Sequence, residues 1–231
     1  MSMNLTQCVN YINTLYNLNA TPPVAGTSDW NTWTVFINIA INLWEKEEGM
    51  LWNELYTTLS GAADGTKSTT AGTWSYAVPT NFVFPNAAYV WIGTGTNKQA
   101  VKVIEQKDKQ LYENNSDPWC YFLKNPTPML YFNPNWVVPT GTLNYEYYKT
   151  ATLMVNGVDV VEMSDPMFTV YYTVNELNKD TGDTSSGTIA TQKMESMRTK
   201  NEMGSPNESN SVLNGLGEGM GINRVDRSFG Q

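Results

Sequence analysis

The chain has 231 residues, 41% of them hydrophobic, and a formal charge of −8 at neutral pH. Because it contains no histidine, every catalytic triad or metal site that needs an imidazole is excluded. Its 14 basic residues are outnumbered by 22 acidic ones, so tight non-specific binding to duplex DNA is not expected. The length predicts a folded protein with one substantial core or two smaller ones.

The first part of the chain predicts helices. Residues 4–16 carry an amphipathic pattern, and a longer helix, capped by Ser28 or Asp29, is predicted over residues 28–59. Its apolar face consists of Trp30, Trp33, Ile37, Ala40, Ile41, Trp44, Leu51 and Leu55. We interpret this face as core rather than as a ligand site. The acidic run at residues 45–48 is interpreted as a solvated face, because consecutive helical side chains diverge.

From residue 74 the hydrophobic period changes to that of strands. About six or seven strands are predicted, over residues 74–78, 81–84, 89–92, 100–104, 119–123, 129–132 and 143–148. The last two are expected to pair as a β-hairpin, with Pro139-Thr140-Gly141 in the connecting loop. Residues 93–97 are expected to be an exposed hairpin tip. The prediction is an antiparallel domain resembling a sandwich or barrel.

Helical periodicity returns after residue 164. A helix capped by Ser164 or Asp165, with Pro166 in its first turn, is expected to bury Met167, Val170, Tyr171, Val174 and Leu177 against residues 28–59. Another helix is predicted from Ser185 or Thr188 through Met197. The fold class is therefore α+β, a helical bundle with an inserted β domain. The predicted parts are N-terminal helices 1–68, β domain 69–157, C-terminal helices 158–203 packing on the N-terminal ones, and an extended Gly-rich tail 204–231.

The tail is the predicted partner interface. It is rich in Gly, Asn and Ser but keeps spaced apolar residues, a composition typical of segments that order only on a partner. The candidate anchors, including two arginines expected to pair with acidic groups, are Val212, Leu213, Leu216, Met220, Ile222, Arg224, Val225, Arg227 and Phe229. A solvated tail without a partner is the alternative.

No catalytic, cofactor-binding or metal-binding residue is predicted. The glycines of residues 215–221 lack the preceding strand and the following Lys-Ser or Lys-Thr of a phosphate loop. Glu105 with Asp108, or Asp159 with Glu162, could be drawn as a glycosidase pair, but an enzyme is not expected. A carbohydrate or host-surface binding β module stays open as an alternative, because exposed aromatic rings can stack on sugars.

Two further expectations concern the cysteines and the place where the protein is made. Cys8 and Cys120 are predicted to be free and buried. No secretory signal and no apolar run long enough for a membrane span is recognised, so cytoplasmic production without membrane insertion is expected.

In the order and spacing of its segments the chain resembles the head-to-tail adaptor, or connector, proteins of tailed bacteriophages, including the tail tubular protein A of short-tailed phages. The resemblance covers residues 4–203. It depends on the helix with Leu5, Cys8, Val9 and Ile12, and on the motifs Ser28-Asp29-Trp30, Val78-Pro79-Thr80-Asn81-Phe82, Leu130-Tyr131-Phe132-Asn133-Pro134, Tyr145-Glu146-Tyr147-Tyr148 and Asp165-Pro166-Met167-Phe168.

The resemblance implies a non-enzymatic structural protein of the virion, assembled in the host cytoplasm. It implies a homo-oligomeric ring, expected to be a dodecamer, at the head-tail junction between the portal protein and a downstream tail or nozzle protein. Double-stranded DNA would pass through the channel during ejection without specific binding, which agrees with the acidic balance of the chain.

Overall fold

The computed structural model describes residues 2–18, 21–60, 68–86, 88–94, 96–112, 114–123 and 127–203. They form a mixed α+β protein with five α-helices and one curled sheet. The chain divides into two compact units. The helical unit comprises Met1–Tyr56 and Lys149–Gly204, and the β unit contains Thr57–Tyr148.

The helical unit contains all the longer helices. These are α1 (Leu5–Tyr16), α2 (Ser28–Glu45), α4 (Met167–Leu177) and α5 (Ser185–Met203). A short α3 (Lys109–Tyr112) belongs to the β unit. Asn4 caps α1 through a capping box with Gln7, and the Asp183 carboxylate accepts the Ser185 N–H at the start of α5. No helix among the described residues is long and apolar enough to cross a membrane.

The second helix is shorter than the sequence predicts. It begins at Ser28, where Thr27 rather than Ser28 or Asp29 is the cap, and it ends at Glu45 instead of continuing to residue 59. Beyond the helix end, Gly49 has φ +76°, a left-handed conformation that glycine adopts without strain, and it lies in a turn in which the Met50 N–H donates to the Glu47 carbonyl group at 3.1 Å. The chain then folds back, so that Trp52 stacks on Trp44 with 5.3 Å between ring centroids.

The fourth helix lies at the centre of the helical unit, because it contacts α1, α2 and α5. Val170 and Val174 are buried as predicted, but Met167, Tyr171 and Leu177 are only half-buried. Phe168, Thr169 and Thr173 are buried instead. Because α4 has neighbouring helices on three sides, its buried surface is wider than a single apolar stripe. This surface is also not centred on the predicted stripe.

Among the described residues, nine strands form the β unit. They are β1 (Tyr56–Ser60), β2 (Ser68–Thr69), β3 (Ser75–Ala77), β4 (Phe82–Pro85), β5 (Tyr89–Thr94), β6 (Asn97–Val103), β7 (Trp119–Leu123), β8 (Met129–Phe132) and β9 (Gly141–Lys149). The order is β1-β9-β5-β6-β7-β8-β3, with β2 and β4 also pairing with β9. The inner face of the curled sheet forms the core, which includes Val90, Val101, Leu130, Leu143 and Tyr145.

Two predictions about strand pairing are wrong. Residues 129–132 and 143–148 do form strands, but β8 pairs with β7 and β3, whereas β9 pairs with β5, so they are not a hairpin. The sheet is also not purely antiparallel, because β6 and β7 run parallel, with Lys102 beside Trp119. The long connection between β6 and β7, which contains α3, has the length that a parallel crossover needs.

Candidate interaction surfaces

The second helix presents apolar side chains on two opposite faces. Its inner face buries Trp30, Trp33, Ile37, Ala40, Ile41 and Trp44. Its outer face carries Val35, Ile39 and Leu43, which are 55%, 39% and 46% exposed. These three residues are spaced four apart and form one ridge along the helix. No charged residue lies between Asp29 and Glu45, so this surface, which we call the α2 face, is apolar and uncharged.

The first helix has a similar exposed surface. Tyr11 and Leu15 lie one turn apart on α1, and Leu18 follows just beyond its end; they are 42%, 38% and 72% exposed. We call these three residues the α1 face. No residue of α1 is charged. The whole chain has 36 charged residues, and Asp29 is the only one of them within the first 44 positions. The two faces therefore lie in the least charged segment of the protein.

A loop at residues 150–163 exposes further aliphatic side chains on a firmly held backbone. Leu153, Val155, Val158 and Val160 are exposed, whereas Met154 is buried. The Asn38 amide binds both backbone groups of Met154, with an Oδ1–N distance of 2.8 Å and an Nδ2–O distance of 2.9 Å. Because Asn38 belongs to α2, this clamp holds the loop against that helix.

Two carboxylates of the same loop accept hydrogen bonds from its backbone. Asp159 accepts the Val155 and Asn156 N–H groups at 2.7 and 2.6 Å, and these backbone hydrogen bonds lower the pKa of its carboxyl group. Glu162 accepts the Thr152 N–H at 2.8 Å and pairs with Lys149. The two acids thus stabilise the backbone of this loop.

In the other carboxylate pair, Glu105 is engaged with a neighbouring lysine. Glu105 pairs with Lys107 at 2.8 Å, and both side chains are largely exposed to solvent. Acid catalysis on a sugar needs a carboxyl group held in a protected cleft, where its pKa can be raised.

A groove of about 650 Å³ lies between α2, α4 and α5. Leu43, Tyr172 and Met194 line it, together with several hydroxyl groups of α5, and the Glu47–Arg198 ion pair also faces it. Gly187 allows α5 to approach α4, because a Cβ there would lie 2.5 Å from the Asn175 Oδ1. The groove shares Leu43 with the α2 face.

The outer face of the β unit carries a pair of exposed aromatic rings. Tyr89 and Trp91 on β5 are 46% and 41% exposed, and their ring centroids lie 6.3 Å apart. Asn144 lies beside Trp91 on β9, but its amide already donates to the Gly93 and Thr142 carbonyl groups. Lys102 lies beside Tyr89 and is hydrogen-bonded to the Tyr112 hydroxyl group at 3.3 Å. The rings are therefore available for stacking, whereas two neighbouring polar groups are already engaged.

The cysteines are free and buried, as the sequence predicts. Burial raises the pKa of Cys8 to about 11 and also raises the pKa of Cys120. Within the described part of the chain, no group of three or more cysteines, aspartates or glutamates could hold a metal ion.

The predicted anchors of the tail, Val212 to Phe229, and the glycines of residues 215–221 lie outside the described residues. The structure instead draws attention to surfaces that the sequence interpretation missed, namely the α2 face and the α1 face. The signal that could have found them is the absence of charge over the first 44 residues, with Asp29 as the exception.

No protein-family model matches the chain, and a search of curated proteins found no significant match. Function must therefore be inferred from the residues of this chain.

Proposed function

We propose that the protein is a structural adaptor of a tailed-phage virion, which forms a ring between the capsid portal and the tail and surrounds the path of the ejected DNA. The observation that carries the proposal is the division of the subunit. Its first and last described segments build one helical unit, and a separately folded β unit is inserted between them. A subunit of this kind offers two different surfaces, as a protein that joins two unlike neighbours requires.

The exposed surfaces support an assembly role over a catalytic one. Interface cores are depleted of charged residues and enriched in apolar and aromatic ones, which describes both the α1 face and the α2 face. The net charge of −8 suits a channel that DNA passes without binding, because like charges repel. The tail at residues 204–231 completes the proposal as the anchor on the portal or on a neighbouring adaptor.

Negative-stain electron microscopy of the purified protein tests this function directly. We expect rings with a central channel, and co-sedimentation of the protein with portal-bearing capsids. A mobility-shift assay with duplex DNA at physiological salt should show only weak binding without sequence preference. A protein that forms no ring and does not bind capsids would contradict the proposal.

The aromatic pair on the β unit favours a second candidate, a carbohydrate or host-surface binding module. Tyr89 and Trp91 could stack on sugar rings. A glycan array should then give signals that Trp91→Ala abolishes. Trp74→Ala is the matched control, because Trp74 is similarly exposed, at 46% against 41% for Trp91, but does not belong to β5. An array without signals would exclude this candidate for the glycans it contains.

A further inference from the structure

We infer that the α2 face of one subunit docks on the α1 face of a second copy of the same chain, so that the helical units associate head to tail. The inference rests on the proposed ring and deepens it, because it names the surfaces on which neighbouring subunits meet.

The α2 face requires a cover. An amphipathic helix normally presents polar residues to solvent opposite its buried face, yet Val35, Ile39 and Leu43 lie exposed on α2 opposite three buried tryptophans. A helix that is solvated on its outer side normally carries charged residues there, and residues 30–44 carry none. The partner surface must therefore also be apolar, and a charged partner would lose the solvation of its charges without gaining a pair.

The same chain supplies such a surface on α1. Tyr11, Leu15 and Leu18 are exposed, and the helix to which the first two belong has no charged residue. Tyr11 also brings the large aromatic contact that is enriched at interface cores. Uncharged surfaces of this kind match each other in polarity, so a second copy fits the α2 face without any unpaired charge.

The geometry of both faces fits helix-on-helix packing. Val35, Ile39 and Leu43 follow a row of residues spaced four apart, and Tyr11 and Leu15 follow the same kind of row on α1. Rows of this type interlock when two helices cross at about −50°. Because the α1 face and the α2 face are unlike surfaces, each subunit can contact one neighbour through α1 and another through α2. Such contacts are heterologous and close into a ring when the rotation between subunits allows it.

Charge substitutions on each face test the inference. Ile39→Glu removes the α2 face, Leu15→Glu removes the α1 face, and Val158→Glu is the matched control, because Val158 is an exposed aliphatic residue elsewhere in the helical unit. In sedimentation velocity, we expect the wild type and Val158→Glu to assemble and each of the other two variants to stay monomeric. An equimolar mixture of Ile39→Glu and Leu15→Glu should give one-to-one dimers and nothing larger, since each dimer has only one intact pair of faces.

Several results would overturn the inference. They are a monomeric wild type, a variant of either face that assembles like the wild type, or a mixture that gives no dimer. If Ile39→Glu alone prevents assembly, the contact is between two α2 faces and the inference is wrong. If the wild type forms rings and so does Ile39→Glu, the inference fails while the proposed function stands. If the wild type forms open filaments that both substitutions abolish, the contact stands and the ring adaptor fails.

Cross-linking provides a second measurement that does not depend on charged variants. Leu15→Cys and Ile39→Cys together in one chain should give a ladder of multimers with a short bismaleimide. Cys8 and Cys120 are buried with raised pKa values, so the native thiols contribute little background. Each single variant should give no ladder, and the absence of a ladder from the double variant would contradict the contact.

Discussion

The clamp between Asn38 and Met154 makes a quantitative prediction about the helical unit. The Asn38 side chain accepts the Met154 N–H and donates to the Met154 carbonyl group, and Met154 is 1% exposed. Asn38→Ala removes both partners of a buried peptide group. An unpaired buried donor or acceptor costs about 1–3 kcal/mol, so the two together should lower the free energy of unfolding by about 2–4 kcal/mol once local relaxation is allowed for.

Alanine also favours a helix more than asparagine does, by about 0.5 kcal/mol, which partly hides the loss. Asn31→Ala is the matched control, since Asn31 lies on α2 two turns earlier and is exposed. It shares the gain in helix propensity without touching the loop. The difference between the two variants therefore isolates the clamp.

Urea unfolding gives the difference in stability, and hydrogen–deuterium exchange of peptides covering residues 150–163 locates it. We expect Asn38→Ala to speed exchange in this loop, while α5 and the β unit change less. Equal stability of Asn38→Ala and Asn31→Ala, with unchanged exchange in the loop, would refute the reasoning.

Three further outcomes are expected. Gly93→Ala should destabilise the β unit by about 1–3 kcal/mol in thermal unfolding, because Gly93 has φ +122° and an added Cβ would lie 2.2 Å from the Asn97 carbonyl oxygen; unchanged stability would contradict this. Because the folded-state pKa of Asp159 is lowered, its contribution to stability is fully present above the unfolded pKa and is lost as pH falls through the folded pKa. Asp159→Asn should thus destabilise the protein at neutral pH and much less in acid, and an equal effect at both pH values would refute the argument. Cys8 and Cys120 should resist an aromatic disulfide reagent at pH 8 until denaturant is added, whereas rapid labelling of the folded protein would show that they are accessible.

The buried face of α2 was predictable because it follows from local periodicity, whereas on α4 only Val170 and Val174 of the five predicted residues are buried. The six residues of α2 that the structure buries were all assigned to its core face. The end of the helix was missed because Leu51 and Leu55 continue the same apolar period beyond it. Beyond Glu45 the chain turns at the left-handed Gly49 and brings Trp52 back onto Trp44, a tertiary contact that periodicity does not report.

Strand positions were predicted better than strand partners, for a physical reason. Alternation of apolar residues identifies a strand by itself, but pairing depends on where the chain travels between strands. The eight residues between β8 and β9, with Pro134 and Pro139, exceed a tight hairpin turn, and they lead to another part of the sheet. The parallel pairing of β6 and β7 could not be predicted either, because the residue pattern of a single strand is compatible with both parallel and antiparallel pairing.

The outer side of α2 departs from the pattern expected of a solvated helix. Helical periodicity accounts for Trp30, Trp33 and Trp44, but it leaves Val35 and Ile39 without a role, since the helical unit does not cover them. An exposed apolar ridge costs free energy through hydration and promotes aggregation unless a partner covers it. Natural sequences depart from such rules chiefly where function compensates for the cost. Because charge is nearly absent from the first 44 residues rather than from one helix alone, the departure extends over both α1 and α2. That extent is what an assembly surface requires, since a subunit in a closed ring must leave two different surfaces for its two neighbours.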